Sequence, residues 1–548
     1  MPDSAQAQHA SNRAESHASP EAVRTPRVAV VIVTWNRREM VASVLDAIAK
    51  QSVPMNALDV FVIDNASTDG TLDHLAARFS PDAIYDNPTE HAESPAFQSR
   101  ENPKKQGQNT LGVRTLSIVR NAYNLGGCGG FNTGFNIVAH ALGEPAAPGS
   151  PDYVWLVDDD VDLEPDLCAQ LLRVAESGAN IGLVGSRTVD IRDRATTIET
   201  TIYHHPTLGI MGDEPEAGDP RLAEHRRWAE AFGGAKYGHG YRGTRDVDVV
   251  SACSMLARWS DTKDVGLWDA RYFIYCDDAD WCLRFKRAGR RVVLNLDAVV
   301  YHTPWHHKLT PARIYYAERN LIWMNQKTLE GAALRRTVRK RLRHLLRESL
   351  HAGVCRRGFH ASVYLRAACD AMRGRGGKLD LTPTPAEATA ECVRRLGAAG
   401  RSLVLVIPTP ETLAAADAFR AHVERAIPES ARPRLIEFVR HDVPGAHDGG
   451  SRERIVYAPH AGSRLFRQLG LLRRRPLGVV VFDHACDVPM LLGRWTLHVA
   501  GDGPDRATPE RVGLADRFVF LARWLGTFGR SLVFGFTVRP HRSRTRYG

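Results

Sequence analysis

The chain has 548 residues, 43% of them hydrophobic and 24% charged, which is enough for two or more cored units and ordinary for a soluble globular protein. A net charge of +10 invites a polyanionic partner, and nucleic acid, anionic lipid headgroups and phosphorylated substrates all qualify. Nine cysteines without a CxxC pair exclude a disulfide scaffold or a structural zinc site and favour a reducing compartment, and no apolar run approaches the ~20 residues of a spanning helix.

Residues 1–26, rich in Ala, Ser, His and charge, read as a disordered tail rather than a signal peptide. Arg27 to Thr34 is a near-continuous β-branched run, the pattern of a strand buried on both faces of a parallel sheet. It ends in Trp35-Asn36-Arg37, and helical spacing follows through Met40, Val44, Leu45 and Ile48. A second strand, Leu58 to Ile63, ends in Asp64-Asn65-Ala66-Ser67-Thr68-Asp69-Gly70, so a right-handed βαβ unit brings Thr34, Asn36, Arg37, Asp64 and Asn65 to one rim. Residues 85–115 lack any period and read as an insertion loop. In Asn124 to Gly134 the glycines are dense enough for backbone to approach a ligand, with a helix N-terminus following; a flexible turn is the plainer alternative.

Tyr153 to Val157 is an apolar run that stops in Asp158-Asp159-Asp160-Val161-Asp162. Open α/β sheets bind ligands at the carboxyl ends of their strands, and adjacent carboxylates there repel one another unless a cation neutralises them. Oxygen ligands suit a hard divalent ion that also grips phosphate, so a metal–diphosphate site is expected beside the plainer reading of a solvated acidic loop. A calcium loop is disfavoured, because Leu163 and Ala169 stand where Gly and Glu are needed.

Helix is expected over 164–177, strand over 181–185, irregular chain over 190–245 and strand over 247–257. Asp277, Asp278 and Asp280 precede or open a helix; three carboxylates within four residues exceed what capping needs, and one is a candidate general base. A strand over 291–300 leads to His302, His306 and His307, a cluster that favours a metal role over single structural histidines.

These segments in order, VVIVTWNR at 30–37, VIDNASTDG at 62–70, Asn124-Leu125-Gly126-Gly127, Asp158-Asp159-Asp160 and Asp277-Asp278-Ala279-Asp280, resemble the inverting family 2 glycosyltransferases of the GT-A fold. With His302 and Trp305 after it, the Asp-Asp-Ala-Asp run is most similar to bacterial galactofuranosyltransferases of cell-wall galactan synthesis, and rhamnosyltransferases share much of the pattern. The resemblance implies an α/β, Rossmann-like, mostly parallel sheet flanked by helices over 27–330. By the same resemblance, Thr34, Asn36, Arg37, Asp64, Asn65, Asn124, Gly126, Gly127 and Asp159 would border the nucleotide-sugar donor, a UDP-sugar. Asp158, Asp160 and His302 would hold Mn²⁺ or Mg²⁺. Asp278, or else Asp277, would take the acceptor proton, with Trp305 and Trp281 on the acceptor side. The reading that follows is a metal-dependent transfer of galactofuranose to a lipid-linked or cell-surface glycan; a rhamnosyl- or other hexosyltransferase, and a non-catalytic sugar-nucleotide-binding scaffold, are the alternatives.

Residues 331–395 read as a basic amphipathic helical region, either a solvated face or one that lies on anionic lipid. Sparse aromatic interleaving argues against nucleic acid. A second small α/β region of unassigned role is expected over 396–548, with Phe518 to Phe536 interfacial or packed rather than spanning. The expected location is cytoplasmic, with peripheral contact on the cytosolic face of the inner membrane; the oligomeric state stays open.

Overall fold

The computed structural model describes residues 24–91, 93–101, 107–232, 240–304, 310–396, 400–448, 452–482, 487–499 and 503–541. The tail up to residue 23 lies outside these, as do Trp305, His306 and His307.

The first sheet is built on β1 (Val28–Thr34), β2 (Leu58–Asp64), β3 (Ala83–Asn87), β4 (Gln98–Arg100), β5 (Thr115–Asn121), β6 (Tyr153–Asp158), β7 (Asp162–Leu163), β8 (Ile181–Asp190), β9 (Thr197–Glu199), β12 (Thr244–Asp246), β13 (Ser254–Arg258) and β14 (Arg291–His302). Between β9 and β12, β10 (Tyr203–His205) and β11 (Ile210–Gly212) form a separate hairpin. The main strand order is β12-β14-β8-β13-β6-β1-β2-β5-β3-β4. The β6-β1-β2-β5-β3 block and the β14-β8 pair are parallel, whereas β13 runs antiparallel to both its neighbours.

Alternation along β1 explains why the strand is apolar throughout. Val28, Val30 and Ile32 enter one core with Val44 and Leu45 of α1 (Arg38–Ile48) and Leu171 of α4 (Leu167–Glu176). Ala29 and Val31 enter the opposite core with Phe131 and Phe135 of α3 (Gly126–Leu142) and Trp281 of α7 (Asp277–Arg287). Helices cover both faces, so the sheet has no wet side. This is a GT-A-like α/β fold with a mixed, mostly parallel sheet.

Three sequence expectations change. The insertion loop expected over 85–115 holds the end of β3 and the three-residue β4, which pair antiparallel and are too short to show a period. Residues 190–232 and 240–245 are not wholly irregular: they hold β9, the β10–β11 hairpin, the helix Leu222–Ala231 and the start of β12. Strands of three residues are too short to show a period, and in that helix His225 alone is buried. The strand expected over 247–257 is confined to Ser254–Arg258, because residues 247–249 instead meet Val292 and Ile202 through backbone hydrogen bonds.

Beyond β14 come α8 (Pro311–Thr328), α9 (Gly331–Val354) and α10 (Gly358–Arg373), which share a core of Ile322, Leu334, Val338, Leu342, Val363 and Ala367. A second, seven-stranded sheet follows. Its five parallel strands stand in the order Trp495–Val499, Gly478–Val481, Ser402–Ile407, Arg434–Arg440 and Glu453–Tyr457, and two strands pair antiparallel at one edge. The C-terminal helix, Leu514–Thr537, returns to pack on α9 and α10.

Candidate active site at the strand ends

Register brings the acidic motifs together. Val33 of β1 pairs with Asp158 of β6, and Thr34 pairs with Asp64 of β2, so three strand ends stand side by side. Asp158, Asp160 and His302 converge there from β6, the turn after it and the end of β14, each with a ligating atom within 4.8 Å of the others. His302 Nε2 lies 3.2 Å from Asp160 and 3.7 Å from Asp158. Two carboxylates and one imidazole fit a hard or borderline divalent ion such as Mg²⁺ or Mn²⁺.

Arg37 crosses from the β1 end to the same turn, 2.7 Å from Asp159 and 3.0 Å from Asp160. Burial pushes Asp159 up to about 6, against the pull of Arg37. Asn36 sits at φ 53 and joins the first two strand ends: its Oδ1 accepts from Thr68 N at 2.7 Å, and its own N donates to Ser67 Oγ at 2.9 Å. Asp64 is buried and accepts from Ser67 N. Asn65 is also buried, and its amide is spent on the β5–α3 loop. Its Nδ2 donates to Gly126 O and Asn124 Oδ1, and its Oδ1 accepts from Leu125 N and Asn121 Nδ2. It thereby positions Asn124 and the start of α3.

The glycines of α3 serve packing. A Cβ on Gly130 would stand 2.4 Å from Val33 Cγ1, and one on Gly134 would stand 2.2 Å from Val31 Cγ1. At the helix start, a Cβ on Gly126 would meet Phe273 O at 2.2 Å, and Cys128 N donates to the same carbonyl. Close approach is required, but of helix to strand and loop.

That loop aims the second acidic motif. Phe273, Tyr275 and Cys276 all have left-handed backbone, at φ 67, 70 and 60, a conformation that costs non-glycine residues energy unless the surroundings impose it. Asn320 of α8 imposes it by donating to the carbonyls of Tyr272, Ile274 and Tyr275, and the fully buried Arg319 donates to those of Arg271 and Tyr272. The loop delivers Asp277 and Asp278 on the first turn of α7. Asp277 accepts from Cys128 Sγ at 3.0 Å, while Asp278 accepts from Ala279 N at 2.7 Å and Ala252 N at 3.4 Å. Surrounded by protein yet reaching the cleft, Asp278 is pushed up to about 8 by burial and by the Asp277 charge. Asp277 is raised too, by burial first and also by Asp158, which puts the two acidic motifs within electrostatic reach.

Glu199 of β9 is a further acid that the sequence does not advertise, since it sits in a Thr-rich run with no motif. Burial pushes it up to about 7; it feels His302 on one side and raises Asp278 on the other. Asp280 is structural: it shares Lys327 with Asp269, at 3.0 and 2.8 Å, and accepts from Arg284. Trp281 corrects the acceptor-side expectation, because it is fully buried against Phe135 and Phe285 and its Nε1 donates to Gly266 O.

Residues 29–90 match the family described as Glycosyl transferase family 2, and residues 106–325 match Glycosyltransferase like family 2. The Escherichia coli (strain K12) rhamnosyltransferase WbbL is 25% identical over 173 residues, 31% of this chain and 59% of that protein; the chain thus spans under two thirds of that relative's length. The N-acetylglucosaminyl-diphospho-decaprenol L-rhamnosyltransferase of Mycobacterium tuberculosis is 28% identical over 246 residues, 40% of this chain and 76% of that protein. Among solved structures, the mannosyltransferase PcManGT of Pyrobaculum calidifontis, in complex with GDP-Man and Mn²⁺, is 16% identical with a TM-score of 0.35, covering 64% of this chain and 76% of its own. Staphylococcus aureus TarS 1-349 with UDP-GlcNAc is 13% identical with a TM-score of 0.37, covering 64% and 81%. Two segments of the chain, residues 29–90 and 106–325, are thus similar to family 2 glycosyltransferases.

Proposed function

We propose, with the family 2 glycosyltransferase segments as premise, that this chain is an inverting, metal-dependent hexosyltransferase that takes its sugar from a nucleotide donor. The observation that carries this is the gathering of Asp158, Asp160 and His302 beside Asp277 and Asp278. Asp158, Asp160 and His302 would hold Mn²⁺ or Mg²⁺, and the ion when bound supplies Lewis-acid stabilisation of the leaving diphosphate. Arg37 fixes the acidic turn. Thr34, Asn36 and Asp64 border the nucleotide, with Asn124, Gly126, Gly127 and Asp159 along the rest of the donor.

Asp278 acts as general base. It takes the proton of the acceptor hydroxyl as that oxygen bonds to the anomeric carbon, and the bond from that carbon to the diphosphate oxygen breaks on the opposite face. A carboxyl held near neutrality by its surroundings suits that task, since base catalysis is most efficient when the pKa lies near the working pH. Asp277 tunes it through its charge.

Rhamnose from a nucleotide-rhamnose donor is the favoured sugar, because both curated relatives are named as rhamnosyltransferases. Galactofuranose from UDP-galactofuranose is the second reading, carried by the Asp277-Asp278-Ala279-Asp280 run with His302. A polyprenyl-diphosphate-linked glycan on the cytosolic membrane face is the proposed acceptor, in line with the name of the mycobacterial relative. The catalytic unit is assigned to residues 27–330, with 331–395 and 396–548 as helical and α/β additions.

The test offers the full chain dTDP-rhamnose, UDP-galactofuranose and UDP-hexoses, with Mn²⁺ or with EDTA, and follows nucleoside diphosphate release. Release from one donor, abolished by EDTA and restored by Mn²⁺, is the expected result. Donor binding without release from any of them would establish the scaffold alternative.

A further inference from the structure

The C-terminal helix carries a solvent-facing apolar ridge. Leu514, Phe518, Leu521, Leu525, Phe528 and Leu532 recur at spacings of three and four, all exposed, with Leu514 at 74% and Phe518 at 70%. The ridge runs from Leu514 to Leu532 along the helix, about 27 Å at 1.5 Å per residue. No helix among the described residues is long and apolar enough to cross a membrane. An apolar surface of this length on a soluble chain marks an interaction site.

What flanks the ridge identifies its occupant. The helix packs antiparallel along α9: Phe520 touches Gly353, Trp524 Nε1 donates to Leu346 O at 2.8 Å, and the buried Gly535 packs on Arg339. At about 100° per residue, the ridge stands roughly a quarter-turn ahead of this contact line on its helix. Arg336, Lys340, Arg343 and Arg347, all exposed, stand a similar turn ahead on α9. In an antiparallel pair these two directions coincide, so a basic stripe and an apolar ridge face the same side. The stripe also walls a recess of about 340 Å³ closed by Leu208 and Ile210.

The apolar surface continues past the helix start. Arg517 donates to Leu491 O, Leu491 N donates to Gln468, and Gln468 belongs to the helix Ala461–Leu472, whose Leu465, Phe466 and Leu469 are exposed beside Arg467. A second copy of the chain seated on the ridge would bring two basic stripes together, which like-charge repulsion opposes.

We infer that this face docks flat on an anionic lipid bilayer, the ridge entering the headgroup boundary and the stripe contacting lipid phosphates. It is the C-terminal helix that meets the lipid core, while α9 buries its own apolar face inside the protein and contributes charge. The inference stands on this surface and does not depend on the donor assignment.

Co-sedimentation of the full chain with phosphatidylcholine vesicles, with and without phosphatidylglycerol, tests it. The wild type pellets with the anionic vesicles. The triple variant Phe518→Ser, Leu525→Ser, Phe528→Ser binds at least about tenfold more weakly, and so does Arg336→Gln, Lys340→Gln, Arg343→Gln, Arg347→Gln, since each basic group near such a surface contributes about 1 kcal/mol. Vesicle binding unchanged in both variants overturns the inference. So does a wild-type dimer by light scattering that the triple variant makes monomeric. Nucleoside diphosphate release in vesicle-free buffer reports separately on the proposed activity, and neither variant should change it.

Discussion

Asp278 is the side chain on which the proposed chemistry turns. Asp278→Asn removes the base and should lower turnover by about 10²–10⁴-fold while donor affinity, measured calorimetrically, stays within error. The same variant tests the electrostatics. A carboxyl in an unfolded chain titrates near 4, whereas burial and Asp277 hold this one near 8. The native state therefore retains a proton between those values, and its stability falls as pH rises through the window. With metal removed, Asp278→Asn should melt like the wild type at pH 4 and progressively above it from there to pH 8, with a constant gap beyond. A wild-type melting point that rises from pH 6 to 8 relative to the variant would reverse the sign and discard this account.

At the scale of elements, two devices set where the acidic motifs stand. The loop 273–276 holds three left-handed residues in place because α8 supplies Asn320 and Arg319. Asn320→Ala leaves the partly buried carbonyls of Ile274 and Tyr275 short of a donor, while Arg319 still serves Tyr272, and should cost about 1–3 kcal/mol in denaturant unfolding. It should also lower kcat more than it raises KM for the donor, since it acts through the aim of Asp277 and Asp278. The other device is the contact between α3 and β1. Gly134→Ala drives a methyl to 2.2 Å from Val31 Cγ1, and a β-branched side chain cannot swing aside. Overpacking of this kind costs about 1–3 kcal/mol. Adding Val31→Ala should recover part of the loss, and a double-mutant cycle gives the coupling directly.

Across the whole molecule, Arg356 is prominent among the groups that tie the second sheet to the helices, beside the Met490 N to Val354 O and Gly358 N to Glu510 hydrogen bonds. Arg356, buried to 2% exposure, donates to the carbonyls of Met490, Leu492 and Gly493. Replacing it with Leu strands those acceptors and should cost about 2–4 kcal/mol by thermal or denaturant unfolding, with nucleoside diphosphate release retained at low temperature. An equal loss of activity would mean that the second sheet supports the strand-end site. Glu437, on the strand next to one edge of that sheet, is held ionised by Arg420 and Arg454, at 2.7 and 2.6 Å. That arrangement is structural and adds no chemistry.

Sequence alone determined the alternation of strand and helix from Val28 to Asp158, apart from the short strands β3 and β4 that it read as loop, and the placing of Asp158, Asp160, Asp277 and Asp278 at element ends, because periodicity and terminal polarity are local properties of the chain. It also located the rim residues Thr34, Asn36, Arg37 and Asp64, since parallel βαβ units put successive strand ends side by side. It could not bring Glu199 within electrostatic reach of His302 and Asp278, or show that Gly130 and Gly134 serve β1. Nor could it move Trp281 from the cleft to the core or turn Asn65 inward. Those outcomes depend on which distant segments pack together, and three-dimensional contact leaves no trace in the spacing of a single strand or helix. The exposed ridge of the C-terminal helix belongs to the same class: its pattern left interfacial and packed roles both open, and only the placement of α9 and α10 left that face outside.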